Sequence, residues 1–155
     1  MLTDSQYATL RTEIQTDPLA YGYAAFLAAH EPENVAAALN KVRDGTDGKP
    51  QIQVRRIDVA AIEVLEAVDT RDFVASPNAL QASWFESITQ NSTIRLANPD
   101  GTQNRIKNNL DRILNDTQGS QTRLNALAKR NGSRAEKLFG PGTVVSISDV
   151  MTALA

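Results

Sequence analysis

The chain has 155 residues, with 16 basic and 18 acidic side chains, a formal net charge of −2 and 41% hydrophobic residues. It contains no cysteine and a single histidine, His30, which excludes disulfides, thiolate metal sites, cysteine nucleophiles and any site with two imidazoles. A chain of this length suits one domain and can bury a hydrophobic core without cross-links.

The first forty residues show helical periodicity. Thr3 or Asp4 is suited to cap a first helix, because a short polar side chain can accept a hydrogen bond from the exposed N–H groups of the first turn. Asp17 is predicted to cap a second helix that contains Pro18, since proline disfavours helical conformation in the residue before it and is accepted in a first turn. A third short helix is predicted over 35–39.

The middle of the chain alternates turn formers with apolar segments. Residues 44–50 concentrate glycine, aspartate and proline and predict a flexible loop, and residues 51–57 alternate polar and apolar side chains as a short strand does. Asp58 is predicted to cap a helix, and a later helix is expected to bury Trp84 in the core. Polar and turn residues over 91–104 predict a second loop.

The last third of the chain is predicted to form four helices and one extended piece. Apolar residues at helical spacing mark two helices, and Ser133 is suited to cap a third, which Gly140 and Gly142 end. An extended piece over 143–145 and a final helix over 149–154 follow. The fold class predicted for residues 1–155 is therefore mainly α: one compact multi-helix domain with one or two short extended segments.

The sequence offers no pattern for catalysis or for a cofactor. His30 stands beside glutamates that Pro32 separates, and the acidic residues between 63 and 72 are typical of a solvated helix face. The glycines at 140 and 142 lack the lysine and hydroxyl that a phosphate loop needs. We therefore predict no catalytic residue, no metal ion and no cofactor. The start of the chain lacks a secretory pattern, and no apolar run is long enough to span a membrane, so no membrane contact is expected.

Charge is distributed unevenly along the chain. Residues 1–94 carry −6, residues 95–137 carry +5 and residues 138–155 carry −1. Such asymmetry is typical of nucleic-acid contact or of complementary charge between subunits, although the polar faces of ordinary helices also carry such residues. The candidate contact residues are Arg105, Lys107, Arg112, Arg123, Lys129, Arg130, Arg134 and Lys137.

Three stretches together resemble a family of small helical proteins encoded in the virion-morphogenesis gene cassettes of tailed bacteriophages. They are residues 13–23, which read EIQTDPLAYGY, residues 35–40, which read VAAALN, and residues 133–145, which read SRAEKLFGPGTVV. Asp149, Val150, Ala153 and Leu154 extend the last stretch, and Trp84 and the segment 56–57 are also similar. The resemblance implies a virion structural protein of the head-to-tail connector or neck class, which is mainly helical and forms rings that contact the portal.

The stretches that carry the resemblance contain residues suited to specify a fold. Asp17, Pro18 and Gly22 are predicted to specify a helix start and a close approach of two backbones, and Ser133, Gly140 and Gly142 a capped turn and its exit. None of them resembles a nucleophile, a base or a cofactor cradle, so we expect a non-enzymatic assembly protein.

These expectations lead to one hypothesis and several alternatives. The hypothesis is a connector subunit located in the virion, after assembly in the bacterial cytoplasm, that forms a homo-oligomeric ring and contacts the portal or other head and tail proteins. An acidic face of one subunit would meet the basic segment of the next, with possible contact to packaged DNA. The first alternative is a DNA-binding accessory or regulatory protein that uses the basic segment over 105–137, above all Arg123, Lys129, Arg130 and Arg134. Tail completion, capsid decoration and assembly chaperoning are further alternatives.

Overall fold

A computed structural model describes residues 2–74, 83, 86, 90–103 and 105–155. It confirms a mainly α fold, with short strands that form two two-stranded sheets, β1 with β4 and β2 with β3. The helices of the described residues are α1 (Asp4–Thr16), α2 (Tyr23–Ala28), α3 (Pro32–Asn40), α4 (Ala61–Ala67), α5 (Arg105–Ile113), α6 (Ser120–Leu127), α7 (Arg134–Phe139) and α8 (Ile147–Leu154). The strands are β1 (Gln53–Arg55), β2 (Asp58–Ala60), β3 (Thr93–Arg95) and β4 (Lys129–Asn131).

The chain divides into two compact units. The first contains Met1–Val54 and Asn131–Ala155, and the second, Arg55–Arg130, is inserted between those two segments. The prediction of one domain over residues 1–155 did not include this division, because helical periodicity is a local property and carries no information on which distant segments fold together.

The first unit packs α8 against α1 and α3, and α3 also contacts α2 and α7. Leu10 and Ile14 lie one turn apart on α1, and both are buried with Leu39 of α3 and Val150 of α8. Such four-residue spacing places side chains on one helix face. The core of this unit therefore joins the start of the chain to its last helix.

Side-chain caps fix the N-terminal starts of α1 and α8, the first and last helices of the first unit. Thr3 is the N-cap of α1, as predicted, and forms a reciprocal capping box with Gln6. Ser146 caps α8 in the same way with Asp149, so α8 begins two residues before the predicted start at 149. The hydroxyl of Tyr7 on α1 donates to Oδ1 of Asp149 at 2.8 Å and ties the two helices together.

The predicted second helix beginning at Pro18 is wrong: α2 begins at Tyr23. Asp17 is in the left-handed conformation, with φ of 40°, and its N–H donates to the carbonyl of Glu13, which ends α1. Its carboxylate does act at the start of α2, because it accepts hydrogen bonds from the N–H groups of Tyr21 and Gly22, both at 2.7 Å. Pro18 lies in the turn between the two helices.

The prediction that Gly22 marks a close backbone approach is also wrong. A Cβ at Gly22 would have no atom within 4 Å, and the glycine is needed because its φ is +87°. The close approach of this unit occurs instead at Gly132, where a Cβ would lie 2.5 Å from Cγ2 of Val54.

The second unit is built around β2, β3, α4, α5 and α6. Val59 of β2 pairs with Ile94 of β3 in an antiparallel register, and both are buried with Leu110 of α5 and Leu124 of α6. The predicted cap at Asp58 is wrong: Asp58 lies in β2, the N-cap is Ala60, and the helix begins two residues later than predicted. The strand β3 interrupts the predicted loop over 91–104. Backbone pairing between segments so far apart in sequence overrides local helical periodicity.

Other predicted segments have mixed outcomes. Residues 44–50 form an irregular loop, as predicted, and the predicted strand over 51–57 is reduced to β1. Residues 143–145 form no strand; the Asn40 side chain instead accepts from the N–H of Val145 at 2.9 Å and donates to its carbonyl at 2.7 Å, as a neighbouring strand would. Trp84 lies outside the described residues.

Candidate interaction surfaces

The predicted basic contact residues belong to both units. Arg134 and Lys137 lie in the first unit, and the other six lie in the second. The first unit contains 6 basic and 9 acidic residues, a net charge of −3, and the second contains 10 and 9, a net charge of +1. The difference in net charge between the two folded units is therefore smaller than the difference along the sequence, because acidic residues before position 95 fold with the basic segment.

Three of the eight basic side chains are held by other groups of their own unit. Lys107 is 1% exposed, and its ammonium pairs with the carboxylate of Asp111 one turn later on α5. Arg123 donates to the carbonyls of Ala67 at 2.8 Å and Gln118 at 2.7 Å. The third is Arg134, which pairs with an acidic residue of α1. These three cations stabilise the fold.

The other five basic side chains are exposed: Arg105, Arg112, Lys129, Arg130 and Lys137. Within the described part of the chain, Arg105, Arg112, Lys129 and Lys137 make no side-chain hydrogen bond or ion pair. These four cations are accessible to a partner without the loss of an internal contact.

Arg134 makes a side-on, two-point contact with Glu13. Its Nε donates to Oε1 at 2.8 Å and its Nη2 donates to Oε2 at 2.6 Å. Glu13 is buried at 5% exposure, and its carboxylate raises the pKa of Arg134. The second terminal nitrogen, Nη1, has no partner among the described residues, so one edge of the guanidinium remains available.

Aromatic side chains pack near this ion pair. Tyr21 and Tyr23 meet edge to face with 5.8 Å between ring centroids, and the guanidinium of Arg43 lies 4.4 Å from the centroid of the Tyr21 ring. Burial raises the pKa of the Tyr23 hydroxyl, and the negative charge of Glu13 raises it further. Both tyrosines are therefore neutral members of the core at physiological pH.

A surface cleft of about 430 Å³ lies in the first unit beside Arg134. Arg134 and Lys137 supply the charged part of its lining from α7, three residues apart on one helix face. Among the described residues, the lining consists of Leu19, Pro50, Gln51, Ile52, Gln53, Arg134 and Lys137. The structure thus brings two of the eight predicted contact residues to one cleft.

The segment from Ser133 to Gly142 is held by Glu136. Ser133 caps α7, as predicted, and its hydroxyl accepts from the N–H of Glu136 at 3.2 Å. The Glu136 carboxylate accepts from the N–H of Ser133 at 3.0 Å and from that of Gly142 at 2.8 Å. Gly140 and Gly142 have φ of 105° and 82°, which favours glycine at both positions. The role of Glu136 was missed, although serine followed three residues later by glutamate is a capping-box pattern.

The last helix leaves large apolar side chains exposed. Ile147 is 50% exposed and Met151 57% exposed, and they lie one turn apart on α8, beside the buried Val150. Val144, three residues before Ile147, is 72% exposed. We call Val144, Ile147 and Met151 the α8 apolar face. Helical spacing did not predict it, because spacing alone cannot show which apolar side chains stay exposed.

A second set of exposed apolar side chains lies on α4 in the second unit. Ile62 is 59% exposed and Leu65 41% exposed, three residues apart, whereas Val64 beside them is fully buried. We call Ile62 and Leu65 the α4 apolar face. Exposed apolar side chains that cluster on one face are typical of protein interaction sites.

The described residues contain no group of three or more histidine, aspartate and glutamate side chains placed to hold a metal ion. His30 is exposed and has φ of 59°, in the loop between α2 and α3. None of the helices in the described ranges combines the length and hydropathy of a membrane span. Comparisons with protein-family models, with curated proteins and with solved structures give no match to this chain.

Proposed function

We propose that this chain is a non-enzymatic structural protein of tailed-phage virions, a head-to-tail connector subunit that assembles into a ring. The proposal takes its protein class from the resemblance of residues 13–23, 35–40 and 133–145 to small proteins of phage morphogenesis cassettes. It takes its mode of action from the exposed surfaces of the two units.

The observation that carries the proposal is the α8 apolar face. Ile147 and Met151 are about half exposed, so burying the rest in a subunit contact would contribute about half of the 1.5–3 kcal/mol that full burial of such a side chain is worth. Asp149, the one charged residue of α8, turns away to cap its helix and to accept from Tyr7. A subunit contact at this face would therefore bury no unpaired charge of α8 itself.

The α4 apolar face supports a head-to-tail contact. A ring of identical subunits needs two different surfaces that fit each other, whereas a two-fold dimer uses one surface twice. In the proposed ring, Ile147 and Met151 of one copy pack on Ile62 and Leu65 of the next.

Engineered cysteines test the contact, since the chain has no cysteine of its own. Met151→Cys and Ile62→Cys are purified separately, and each is oxidised alone and after mixing. The mixture should give a disulfide-linked dimer that contains one copy of each variant, and neither variant alone should give a disulfide-linked dimer. Thr152→Cys, exposed on the same helix, serves as the matched control for Met151→Cys and should react more weakly.

Two outcomes would contradict the proposed contact. A dimer from Met151→Cys alone would indicate a two-fold contact between α8 helices, and no cross-linking in the mixture would exclude the α8–α4 contact. The protein class is tested separately by mass spectrometry of purified particles of the encoding phage, followed by location of the density in particle images. Absence from the particle would overturn the connector proposal and favour an assembly chaperone.

A DNA-binding accessory protein is a second candidate function. It is favoured by the exposed cations of α5 and β4 in the second unit, Arg105, Arg112 and Lys129, which make no side-chain ion pair among the described residues. Titration with duplex DNA at several salt concentrations tests it, because each neutralised phosphate steepens the salt dependence of binding. Replacing the three cations with glutamine should lower that slope; a flat response of the unmodified protein would exclude this candidate.

A further inference from the structure

We propose that the cleft beside α7 is a receptor for an acidic peptide segment, in which Arg134 and Lys137 bind a carboxylate and the apolar lining holds the neighbouring side chain. The cleft lies wholly within the first unit. The inference is independent of the α8 and α4 apolar faces and holds whether or not the chain forms a ring.

The Arg134 guanidinium is positioned before any ligand arrives. Glu13 fixes the Arg134 guanidinium through Nε and Nη2, so the arginine loses little freedom when a ligand binds. The remaining nitrogen, Nη1, has no partner among the described residues. Lys137 lies on the same face of α7, is exposed, and makes no side-chain ion pair within the described ranges.

The remaining lining favours a peptide. Leu19 and Pro50 add apolar surface, and Gln53 is an exposed hydrogen-bonding group. Gln51 is also exposed, and its Nε2 donates to Oδ1 of Asn131 at 2.8 Å. The volume of the cleft, about 430 Å³, lies in the range of roughly 300–1,000 Å³ typical of ligand sites. A carboxylate next to an aliphatic side chain matches both parts of this lining.

Charge favours a carboxylate over a nucleic-acid phosphate. Glu13 offsets the charge of Arg134, so the three groups Glu13, Arg134 and Lys137 together carry about one positive charge. One positive charge complements one carboxylate. A DNA backbone presents a run of phosphates and is bound by several unpaired cations, which this cleft does not supply. The cleft also contains no aromatic side chain on which a base could stack.

The test uses the full chain labelled with nitrogen-15 and two capped tripeptides. One peptide has an aspartate between two leucines, and the other has asparagine in place of the aspartate. We expect the aspartate peptide to shift the NMR signals of Gln51, Gln53 and Lys137 saturably, with smaller shifts from the asparagine peptide. Lys137→Gln should weaken binding of the aspartate peptide about fivefold, as expected for the loss of one partly exposed ion pair.

The matched control is Lys129→Gln, which removes an exposed lysine from β4 and should leave peptide binding unchanged. Circular dichroism of both variants verifies that they fold. Equal shifts from the two peptides, no shift at these residues, or unchanged affinity in Lys137→Gln would overturn the proposal. A short DNA duplex is titrated in parallel, and if it shifts these signals while the aspartate peptide does not, the cleft is a phosphate site and the proposal is wrong.

Discussion

Arg134 and Glu13 form a two-point ion pair across 121 residues of sequence, with Nε–Oε1 and Nη2–Oε2 distances of 2.8 and 2.6 Å. The pair joins α7 to α1 within the first unit. Glu13 is buried, and Arg134 is mostly so, with 19% of its side chain exposed. The pair therefore supports the unit and also orients one cation of the cleft.

Arg134→Ala should destabilise the protein by about 3–5 kcal/mol, because it leaves the Glu13 carboxylate buried without its partner. The measurement is urea unfolding of the full chain followed by circular dichroism. Arg112→Ala is the matched control: Arg112 is exposed and forms no side-chain ion pair among the described residues, so its loss should change stability by less than about 0.5 kcal/mol.

A double replacement separates the ion pair from general disruption. Combining Glu13→Leu with Arg134→Met removes both charges, so the double variant should be more stable than either single variant. Simple addition of the two single losses would show that the side chains are not energetically coupled.

Gly132→Ala should destabilise the first unit by overpacking. The new Cβ would lie 2.5 and 2.7 Å from the two methyl carbons of Val54, and overpacked cores lose about 1–3 kcal/mol. Adding Val54→Ala removes those methyl groups, so the double variant should lose less stability than the sum of the single losses. Thermal unfolding of the four proteins measures this coupling.

Gly142→Ala is the control for the steric explanation. No atom lies within 4 Å of a Cβ at Gly142, but its φ is +82°, so alanine there should cost about 1–2 kcal/mol through backbone strain. Val54→Ala should not relieve this loss. Relief at Gly142 as well would mean that Val54→Ala acts on stability in general and not on the contact with Gly132.

Asp149 should make stability depend on acid pH. Burial opposes ionisation of its carboxyl, but hydrogen bonds from the hydroxyl and N–H of Ser146 and from Tyr7 outweigh it and hold the pKa below the ordinary value. A group whose pKa is lowered by folding contributes stability above its unfolded pKa of about 3.9, and that stability is lost as pH falls through the folded pKa.

Asp149→Asn should therefore be less stable than the unmodified protein at pH 7, and the difference in Tm should shrink as the pH is lowered below about 4. Tyr7→Phe provides a control for the hydroxyl, because it removes one donor and leaves the Ser146 cap in place. It should lower Tm less than Asp149→Asn at pH 7. A pH-independent difference for Asp149→Asn would contradict the assigned role of the carboxylate.

Asp17 should stabilise the start of α2 through its side chain. Its carboxylate accepts from the N–H groups of Tyr21, Gly22 and Tyr23, at 2.7, 2.7 and 3.3 Å. Asp17→Ala removes these bonds and places alanine at φ of 40°, so the loss should exceed the roughly 1 kcal/mol typical of a lost cap. Asp17→Gly accepts that conformation and should lose less. Equal Tm values for the two variants would contradict the contribution of backbone strain.

Several features of the fold were predictable because their causes are local. Thr3 and Ser133 cap helices as their sequence pattern indicates, since a cap needs only a short polar side chain and the N–H groups that follow it. The function of Asp17 was only half predicted. Its carboxylate accepts a hydrogen bond at the start of α2, as a cap of that helix would, but its backbone forms the C-cap of α1. Which helix the backbone of Asp17 joins depends on how the following turn packs.

The candidate sites were less predictable than the helices. The sequence identified Arg134 and Lys137 among eight cations, but position in the sequence could not show that α7 brings these two to one cleft. Nor could it show that Lys107 is buried or that Arg123 is bound to backbone carbonyls. A basic residue has the same sequence signature whether its charge is exposed or paired.

The amino-acid sequence alone determined the mainly α class and the caps at Thr3 and Ser133, because these depend on interactions within a few residues. It also determined the net charge of −2 and the absence of thiol chemistry. Tertiary structure decided the division into two units, the pairing of β2 with β3 and the Glu13–Arg134 contact. It also decided which charges and apolar faces stay exposed. Each of these depends on which distant segments pack together, and burial, unlike helical periodicity, is a property of the whole fold.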